Sequence, residues 1–414
     1  MKKFIFFITL FFVIGPVPNT SMGVYFDTIL LTSLLLIFFL NKKSKKTNTD
    51  INFIKRLVFV PLYYILFIGL PITLISDLTS TSLDFIRAIM RSIKIIITFF
   101  GALALVNLYR ENYPLNYFNK ICKNILFVLL INGVIMILQL IIPSVDNFIK
   151  TLLYNNVSVI HFQTLLRVGG MYLSGGAMAS SFQGFALLLI PYLFKSKEIN
   201  FFQVIIYYLI IIISIVITGR TGLVVVPISL LGFFYNSSII SKSIIFTLVL
   251  IFVFFISTII DLLDIYINTL DNQMLSFNFN RFLRFFSFED TTTTTIVTSF
   301  TIPQDIPVLL FGNLNFNNYD FTDVSDMGWN ISLYKYGLFG ILFYYSIVFL
   351  IFIKIFSRKH IDKSKAFLLR IFILTYLLIE FKEEVIYARN GLSILFLLII
   401  IFLMQEKKIT KISI

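Results

Sequence analysis

The sequence predicts an all-α polytopic membrane protein of about twelve transmembrane helices, with one large extracytoplasmic loop. Three observations predict it. Hydrophobic residues make up 58% of the 414 residues and charged residues only 13%, against roughly 45–50% and 25% in soluble domains. The apolar runs are continuous and long, with no period of two, so they read as helices and not as barrel strands. Lys and Arg gather in alternate loops and at both termini, the mark of a chain threaded back and forth through a bilayer. A mean hydropathy of +0.92 excludes a water-soluble enzyme, a secreted disulfide scaffold and a disordered chain, because no soluble core hides so much Phe, Ile and Leu. Cys122 is the single cysteine, so no intramolecular disulfide forms. With His161 and His360 far apart in sequence, no His/Cys metal cage is expected. Neither a metal nor any other cofactor is expected.

The expected spans are 4–20, 22–40, 57–76, 86–108, 124–142, 178–194, 200–218, 222–236, 244–260, 330–353, 366–380 and 391–404. The first begins like a signal peptide, with Lys2 and Lys3 before an apolar core. No small-x-small cleavage site follows Ile14-Gly15-Pro16 and the second span comes at once, so it reads as a retained helix.

One set of alternating segments holds Lys2 and Lys3, then Lys42, Lys43, Lys45, Lys46, Lys55 and Arg56. The same set continues through Arg110, Lys120 and Lys123, through Lys195 and Lys197, through Lys242, and through Arg358, Lys359, Lys363 and Lys365 to the tail Lys407, Lys408 and Lys411. Basic residues resist translocation, so this face is expected to be cytoplasmic, with both termini on it. The net charge of +13 is then a topology signal and not a nucleic-acid footprint. On the opposite face the chain, a single membrane domain over 1–414, exposes a second loop at 143–177, the large loop at 261–329 and a short polar loop at 381–390. The large loop includes the low-complexity run Thr291 to Thr295, a surface segment on composition alone.

Basic residues on the outer face run against the topology rule. Arg167 stands in Leu166-Arg167-Val168-Gly169-Gly170-Met171-Tyr172-Leu173-Ser174-Gly175-Gly176. Glycines at that density let backbone approach a ligand and leave N–H groups for an anion, unless the segment is a plain turn with a solvated Arg. Arg220 lies in Thr218-Gly219-Arg220-Thr221-Gly222, between two spans with almost no loop. An Arg pinned there either snorkels to the headgroups or lines a wet cavity. Arg281 and Arg284, amid Phe282, Phe285 and Phe286, share one face if helical; they sit at lipid headgroups or hold a phosphate through their planar forks. Arg87, Arg91 and Lys94 follow helical spacing in the fourth span, as snorkelling cations or as the entry for an anionic lipid-linked ligand.

The acidic candidates are Asp320, Asp323 and Asp326, just before the span at 330–353. Asp326 is placed to cap a helix or to act as a general base facing the outer cavity. His161 is a second possible base, or a surface-loop histidine. Glu380, Glu383 and Glu384 adjoin Lys382 and Arg389 and read as local ion pairs. No Walker loop, dinucleotide fingerprint, zincin motif or nucleophile elbow occurs.

These pieces together resemble the O-antigen polymerase (Wzy-type) family, within the superfamily that includes O-antigen ligases. Arg167-Val168-Gly169-Gly170 through Phe185-Ala186-Leu187 resembles its Arg–Gly-rich loop leading into a helix. Thr218-Gly219-Arg220-Thr221-Gly222-Leu223 resembles its short Arg hairpin, and Ser325-Asp326-Met327-Gly328 with Tyr336-Gly337-Leu338-Phe339-Gly340 resembles the end of its large loop. Lys382-Glu383 and Arg389-Asn390-Gly391 resemble its last outer loop. The resemblance implies a metal-independent, inverting glycosyltransferase of lipopolysaccharide or other polysaccharide biosynthesis in the bacterial cytoplasmic (inner) membrane. It would join oligosaccharide repeats carried on undecaprenyl diphosphate, as both donor and acceptor, at the outer face. By the same resemblance Arg167, Arg220, Arg281 and Arg284 hold diphosphate and Asp326 is the base; His161, Asp323, Lys382 and Arg389 are the candidates for further substrate contacts. Membrane lipids are partners, and the reading leaves room for a chain-length regulator protein. Two rivals remain: a ligase that passes finished glycan to a lipid A core, and a flippase of lipid-linked sugar. A flippase calls for ionisable residues deep in the spans and for repeated halves; neither stands out here.

Overall fold

The computed structural model describes residues 2–15, 49–69, 71, 82–153, 168–172, 176–219, 221–236, 302–312, 328–357, 362–382 and 389–404. Among them every regular element is helical. In chain order these are α1 (Lys2–Ile14), α2 (Thr49–Leu57), α3 (Val60–Tyr64) with a π-helical turn at Ile65–Gly69, α4 (Ser82–Asn112), α5 (Tyr117–Ile141) and α6 (Pro143–Leu153). They continue with α7 (Ala177–Lys195), α8 (Phe201–Thr218), a 3₁₀ turn (Thr221–Val224), α9 (Val225–Asn236), α10 (Ile306–Phe311), α11 (Gly328–Ser357), α12 (Lys363–Lys382) and α13 (Arg389–Leu403).

Five helical stretches among the described residues are long and apolar enough to cross a bilayer: Ile51–Gly69, Ala88–Asn112, Tyr117–Ile141, Phe201–Thr218 and Gly328–Lys354, the last broken at Gly337. Lys3–Ile14, Thr221–Tyr235 and Gly391–Leu403 are shorter apolar helices. Their outward faces are apolar along helical stripes: Ile131, Val134, Leu138 and Ile141 on α5, Phe202, Ile206, Leu209 and Ile213 on α8, and Leu374, Leu378 and Phe381 on α12 are all exposed. Water would penalise such stripes, whereas lipid tails accept them.

The described residues thus supply fewer crossings than the twelve expected, and the spans at 22–40 and 244–260 lie outside them. The run expected at 4–20 stops at Ile14, where Gly15 turns to φ 59° and its N–H still reaches Phe11 O at 2.9 Å, a glycine C-terminus ahead of Pro16. The expected loop at 143–177 contains α6. Of the large loop at 261–329, α10, its immediate flanks and the first residues of α11 are described. The Thr291–Thr295 run is not among the described residues.

Contacts gather the chain into two compact units, Met1–Ile29 with Asn119–Thr293 and Leu30–Phe118 with Thr294–Ile414. In the first, α7 is the centre: Ala179 through Leu193 are all buried, and α8 and α9 pack on it. A helix apolar on all sides has no other place. Side chains fix the directions. Tyr192 Oη, near the end of α7, donates to Asn119 Oδ1 near the start of α5 at 2.6 Å. Asn132 and Gln183 meet halfway along at 3.4 Å, so α5 and α7 run antiparallel. The α7–α8 corner is tight because Lys197, at φ 57°, closes a Schellman end: Lys197 N–H bonds Phe194 O and Glu198 N–H bonds Leu193 O, both at 3.0 Å. Asn200 and Gln203 then form a capping box that starts α8. Lys123 Nζ donates to Glu198 O at 2.9 Å. The basic residues of α5 and of the corner therefore share one end of this unit.

In the second unit, α4 packs on α13, and α11 packs on α3, α10 and α12. α11 departs from the expected single span at 330–353. Gly337 takes φ 64°, ψ −179° inside it, a region open essentially to glycine alone. The rings of Trp329 and Tyr345 are 5.0 Å apart, whereas an unbroken helix would separate their Cα atoms by about 24 Å. The segment before Gly337 is folded back along the segment after it. Gly312, at φ 78°, lies against the Lys335 carbonyl, and Gly337 against the backbone of Leu310 and Phe311. Tyr64 Oη closes the knot by donating to Tyr336 O at 2.7 Å, with Phe311 O at 3.1 Å.

Candidate functional site

Arg167, Arg220, Arg281, Arg284, Asp323, Asp326 and His161 lie outside the described residues, and so do Asp320, Glu383 and Glu384. Lys382 is the half-buried last residue of α12, and Arg389 is the first residue of α13. The polar loop expected at 381–390 is therefore shorter, because helix claims both of its ends. What the structure does describe is the chain beside three of the candidates: 168–172 after Arg167, Gly219 and Thr221–Val224 around Arg220, and Gly328 onward after Asp326.

The first of these segments is gripped by a layer of buried amides in α5 and α7. Gly170 N–H donates to Gln139 Oε1 at 2.9 Å and Met171 N–H to Asn132 Oδ1 at 2.7 Å. Gly170 stands at φ 63°, packed so closely on Asn132 and Met136 that a Cβ would meet Asn132 Oδ1 at 2.5 Å. The amides are themselves held. Asn132 Nδ2 donates to Gln183 Oε1 at 3.4 Å, and Gln183 Nε2 donates to the Leu129 carbonyl. Gln139 Nε2 donates to Asp146 Oδ1 at 3.2 Å, and Asp146 also accepts from Lys150 one turn on in α6. Ile149 and Leu153 of α6 pack against Met171 and Ile135, which pins the loop from the other side. Asn132 and Gln183 are both 0% exposed. Irregular backbone at this depth is tolerated in a membrane protein only when its N–H groups are paired in this way.

The second segment is clamped by one side chain. Ser180 Oγ donates to Gly219 O at 2.9 Å and accepts from Gly222 N–H at 2.9 Å, so a single hydroxyl bridges the turn on both sides of position 220. Gly222 rests on the Ser180 backbone with no room for a Cβ, and Gly184, one turn further on, faces the Gly222 carbonyl. Thr218 Oγ1 donates to Ser214 O at 2.8 Å and touches Met136 Sδ at 3.3 Å. Met136 therefore meets both the 168–172 segment and the end of α8. Both segments sit around the first half of α7, at the end of the unit away from Lys123 and Glu198. Lys123 and Gln139 are about 24 Å apart along α5.

Two hydroxyls here have no hydrogen-bond partner among the described residues, Tyr172 Oη and Thr221 Oγ1. Burial pushes the Tyr172 phenol well above its ordinary range, so it stays a neutral hydroxyl, its ring 5.8 Å from that of Phe182. In the second unit, Glu380 is fully buried and accepts from Tyr345 Oη at 3.0 Å. It lies inside α12, which runs two residues past it to Lys382. Tyr345 carries the Trp329 ring, whose other neighbour is Phe381 at 6.4 Å. The start of α11, next to Asp326 in sequence, is thus set on an aromatic and carboxylate base. Among the described residues no group of three or more His, Cys, Asp or Glu could hold a metal.

The sequence reading passed over Asn132, Gln139, Asp146, Ser180 and Gln183. Their signal was present: Asn132 and Gln139 interrupt an apolar run at a spacing that places both on one helix face, and polar residues inside a membrane helix need partners. No protein-family model matches the chain, and no curated protein or solved structure is significantly similar to it.

Proposed function

We propose that this protein is a polysaccharide polymerase of the O-antigen polymerase type, working at the outer face of a bacterial cytoplasmic membrane with both termini inside. It joins repeat units carried on undecaprenyl diphosphate. The acceptor hydroxyl attacks the anomeric carbon of the donor from the side opposite the diphosphate, and Asp326 takes the hydroxyl proton. The bond to the diphosphate breaks, and undecaprenyl diphosphate leaves with its charge held by Arg167, Arg220, Arg281 and Arg284. His161, Asp323, Lys382 and Arg389 supply further contacts to the glycans. The full complement of about twelve spans and the large outer loop belong to this reading.

The observation that carries it is that 168–172, held by Asn132 and Gln139 of α5, and 219–222, held by Ser180 of α7, come together around Met136, each beside Arg167 or Arg220 in sequence. Two segments adjoining arginines in sequence, each anchored on a helix of the same unit, support the arrangement that a diphosphate leaving group requires. The test is the purified protein in proteoliposomes with radiolabelled lipid-linked repeats. Chain growth is expected. Transfer to a lipid A core would make it a ligase, and movement across the bilayer without bond formation would make it a flippase. Asp326→Asn keeps the capping ability of the residue and is expected to lower the rate about 10²–10⁴-fold with normal insertion. A wild-type rate in that variant removes Asp326 from the mechanism.

A further inference from the structure

We propose that the Thr221 hydroxyl is itself a ligand of the diphosphate and that Ser180 is the positioning residue that presents it; this rests on the glycosyltransferase reading of the same site. Thr221 is only 4% exposed, and its Oγ1 has no hydrogen-bond partner among the described residues. The Ser and Thr hydroxyls beside it are occupied, Ser180, Ser214 and Thr218 each donating to a carbonyl oxygen, and Tyr172 Oη alone of this site's other hydroxyls shares its lack of a partner among the described residues. A buried hydroxyl left unmade is unfavourable and calls for an explanation, all the more in a bilayer, where water does not relieve it.

The turn that carries Thr221 is not slack. Ser180 holds it on both sides of position 220, at 2.9 Å each, and Gly222 is seated on the Ser180 backbone with no space for a side chain. With the Gly222 N–H already given to Ser180, the Thr221 hydroxyl, next in sequence to Arg220, is a side-chain donor of the turn with no partner among the described residues. A diphosphate is an acceptor with many oxygens, and an O–H···O⁻ bond to it belongs to the strong class. The guanidinium and the hydroxyl would engage the same ligand from adjacent positions, and Ser180 would act only through the turn.

The experiment uses the full chain in lipid nanodiscs, inorganic pyrophosphate as the probe, and two readouts, calorimetric affinity and thermal midpoint. Thr221→Val keeps the side-chain shape and removes the hydroxyl. Its Kd for pyrophosphate is expected to rise about ten- to a hundredfold. Its thermal midpoint is expected to hold or rise, because no bond is lost in the ligand-free protein and an unmade one is removed. Thr221→Ser should bind as the wild type does, and Ser180→Ala should lose both affinity and stability. Should Thr221→Val fail to insert, Thr221→Ala carries the same test. Wild-type affinity in either variant overturns the proposal, and so does a fall in the thermal midpoint of Thr221→Val, which would reveal a structural partner for the hydroxyl. Arg220→Ala separates the two ideas. If it loses pyrophosphate while Thr221→Val does not, the diphosphate site stands without Thr221. If it binds normally, or the wild type does not bind, the diphosphate reading falls as well.

Discussion

The two units solve one problem by opposite means. Each contains irregular backbone beside long apolar helices, where unpaired N–H and C=O groups are costly. In the first unit the 168–172 segment and the 219–222 turn are satisfied by side chains that reach out to them, Asn132, Gln139 and Ser180. In the second unit the reversal of α11 is made by side chains that are absent. Gly312 and Gly337 bring backbone against backbone, and Tyr64 adds one hydroxyl. The first arrangement is vulnerable to deleting a side chain as well as to adding one at Gly170 or Gly222, the second chiefly to adding one. The difference also bears on function. Side-chain anchors fix the segments next to Arg167 and Arg220 in sequence, whereas the glycine knot sets the direction of a helix.

Adding a methyl group at Gly337 is therefore the largest effect expected. Alanine is strained at φ 64°, ψ −179°, and its Cβ would enter the backbone of Leu310 and Phe311. Conformational strain alone is about 1–3 kcal/mol, and the clash adds to it. Gly337→Ala is expected to lose at least about 4 kcal/mol or not to accumulate, read as the midpoint of chemical unfolding in detergent. If this variant unfolds near the wild-type midpoint, α11 runs through position 337 without reversing.

Some of this contrast was legible in the sequence and some was not. The helical class, the end that collects Lys120, Lys123, Lys195 and Lys197, and the Gly-rich surroundings of Arg167 and Arg220 all follow from local composition. The reversal at Gly337 does not. The run from Ile331 to Ile353 keeps its apolar character across that glycine, and hydropathy carries no record of the chain direction inside a continuous run. Only Gly312 and the Leu310–Phe311 backbone, distant in sequence, show why φ must be positive there. The end of α12 was missed for a related reason: apolar content does not locate a helix end to within a turn, and the helix expected to end at 380 runs on to Lys382.

In the first unit, deletion is a sensitive change too. Asn132→Leu conserves volume but leaves Met171 N–H and the Gln183 Oε1 acceptor without their bonds. Each buried group so stranded costs about 1–3 kcal/mol, giving about 2–6 kcal/mol together, toward the lower part because the Met171 N–H is only partly buried, and so less than Gly337→Ala. The same unfolding midpoint reads it. The local consequence is faster amide hydrogen exchange at Gly170 and Met171, since their segment loses a principal anchor. Unchanged exchange there would mean that Gln139 and the α6 contacts hold the segment unaided.

Deleting a side-chain group in the second unit sharpens the comparison with the smallest effect. Tyr64→Phe removes one hydroxyl and keeps the ring, which packs at 5.4 Å on Phe343 and at 6.3 Å on Tyr344. The Tyr336 carbonyl loses a donor at 2.7 Å, at a net cost of about 0.5–1.5 kcal/mol for a neutral hydrogen bond, approaching 3 if the oxygen stays unpaired. Glycine packing is unaffected, so the reversal itself should persist, with the fluorescence of Trp329, the single tryptophan, unchanged beside Tyr345. The expected order of destabilisation is Gly337→Ala, then Asn132→Leu, then Tyr64→Phe. If Tyr64→Phe destabilises more than Asn132→Leu, or shifts the Trp329 emission, the second unit depends on a side-chain anchor as the first does, and the distinction between adding and deleting groups collapses.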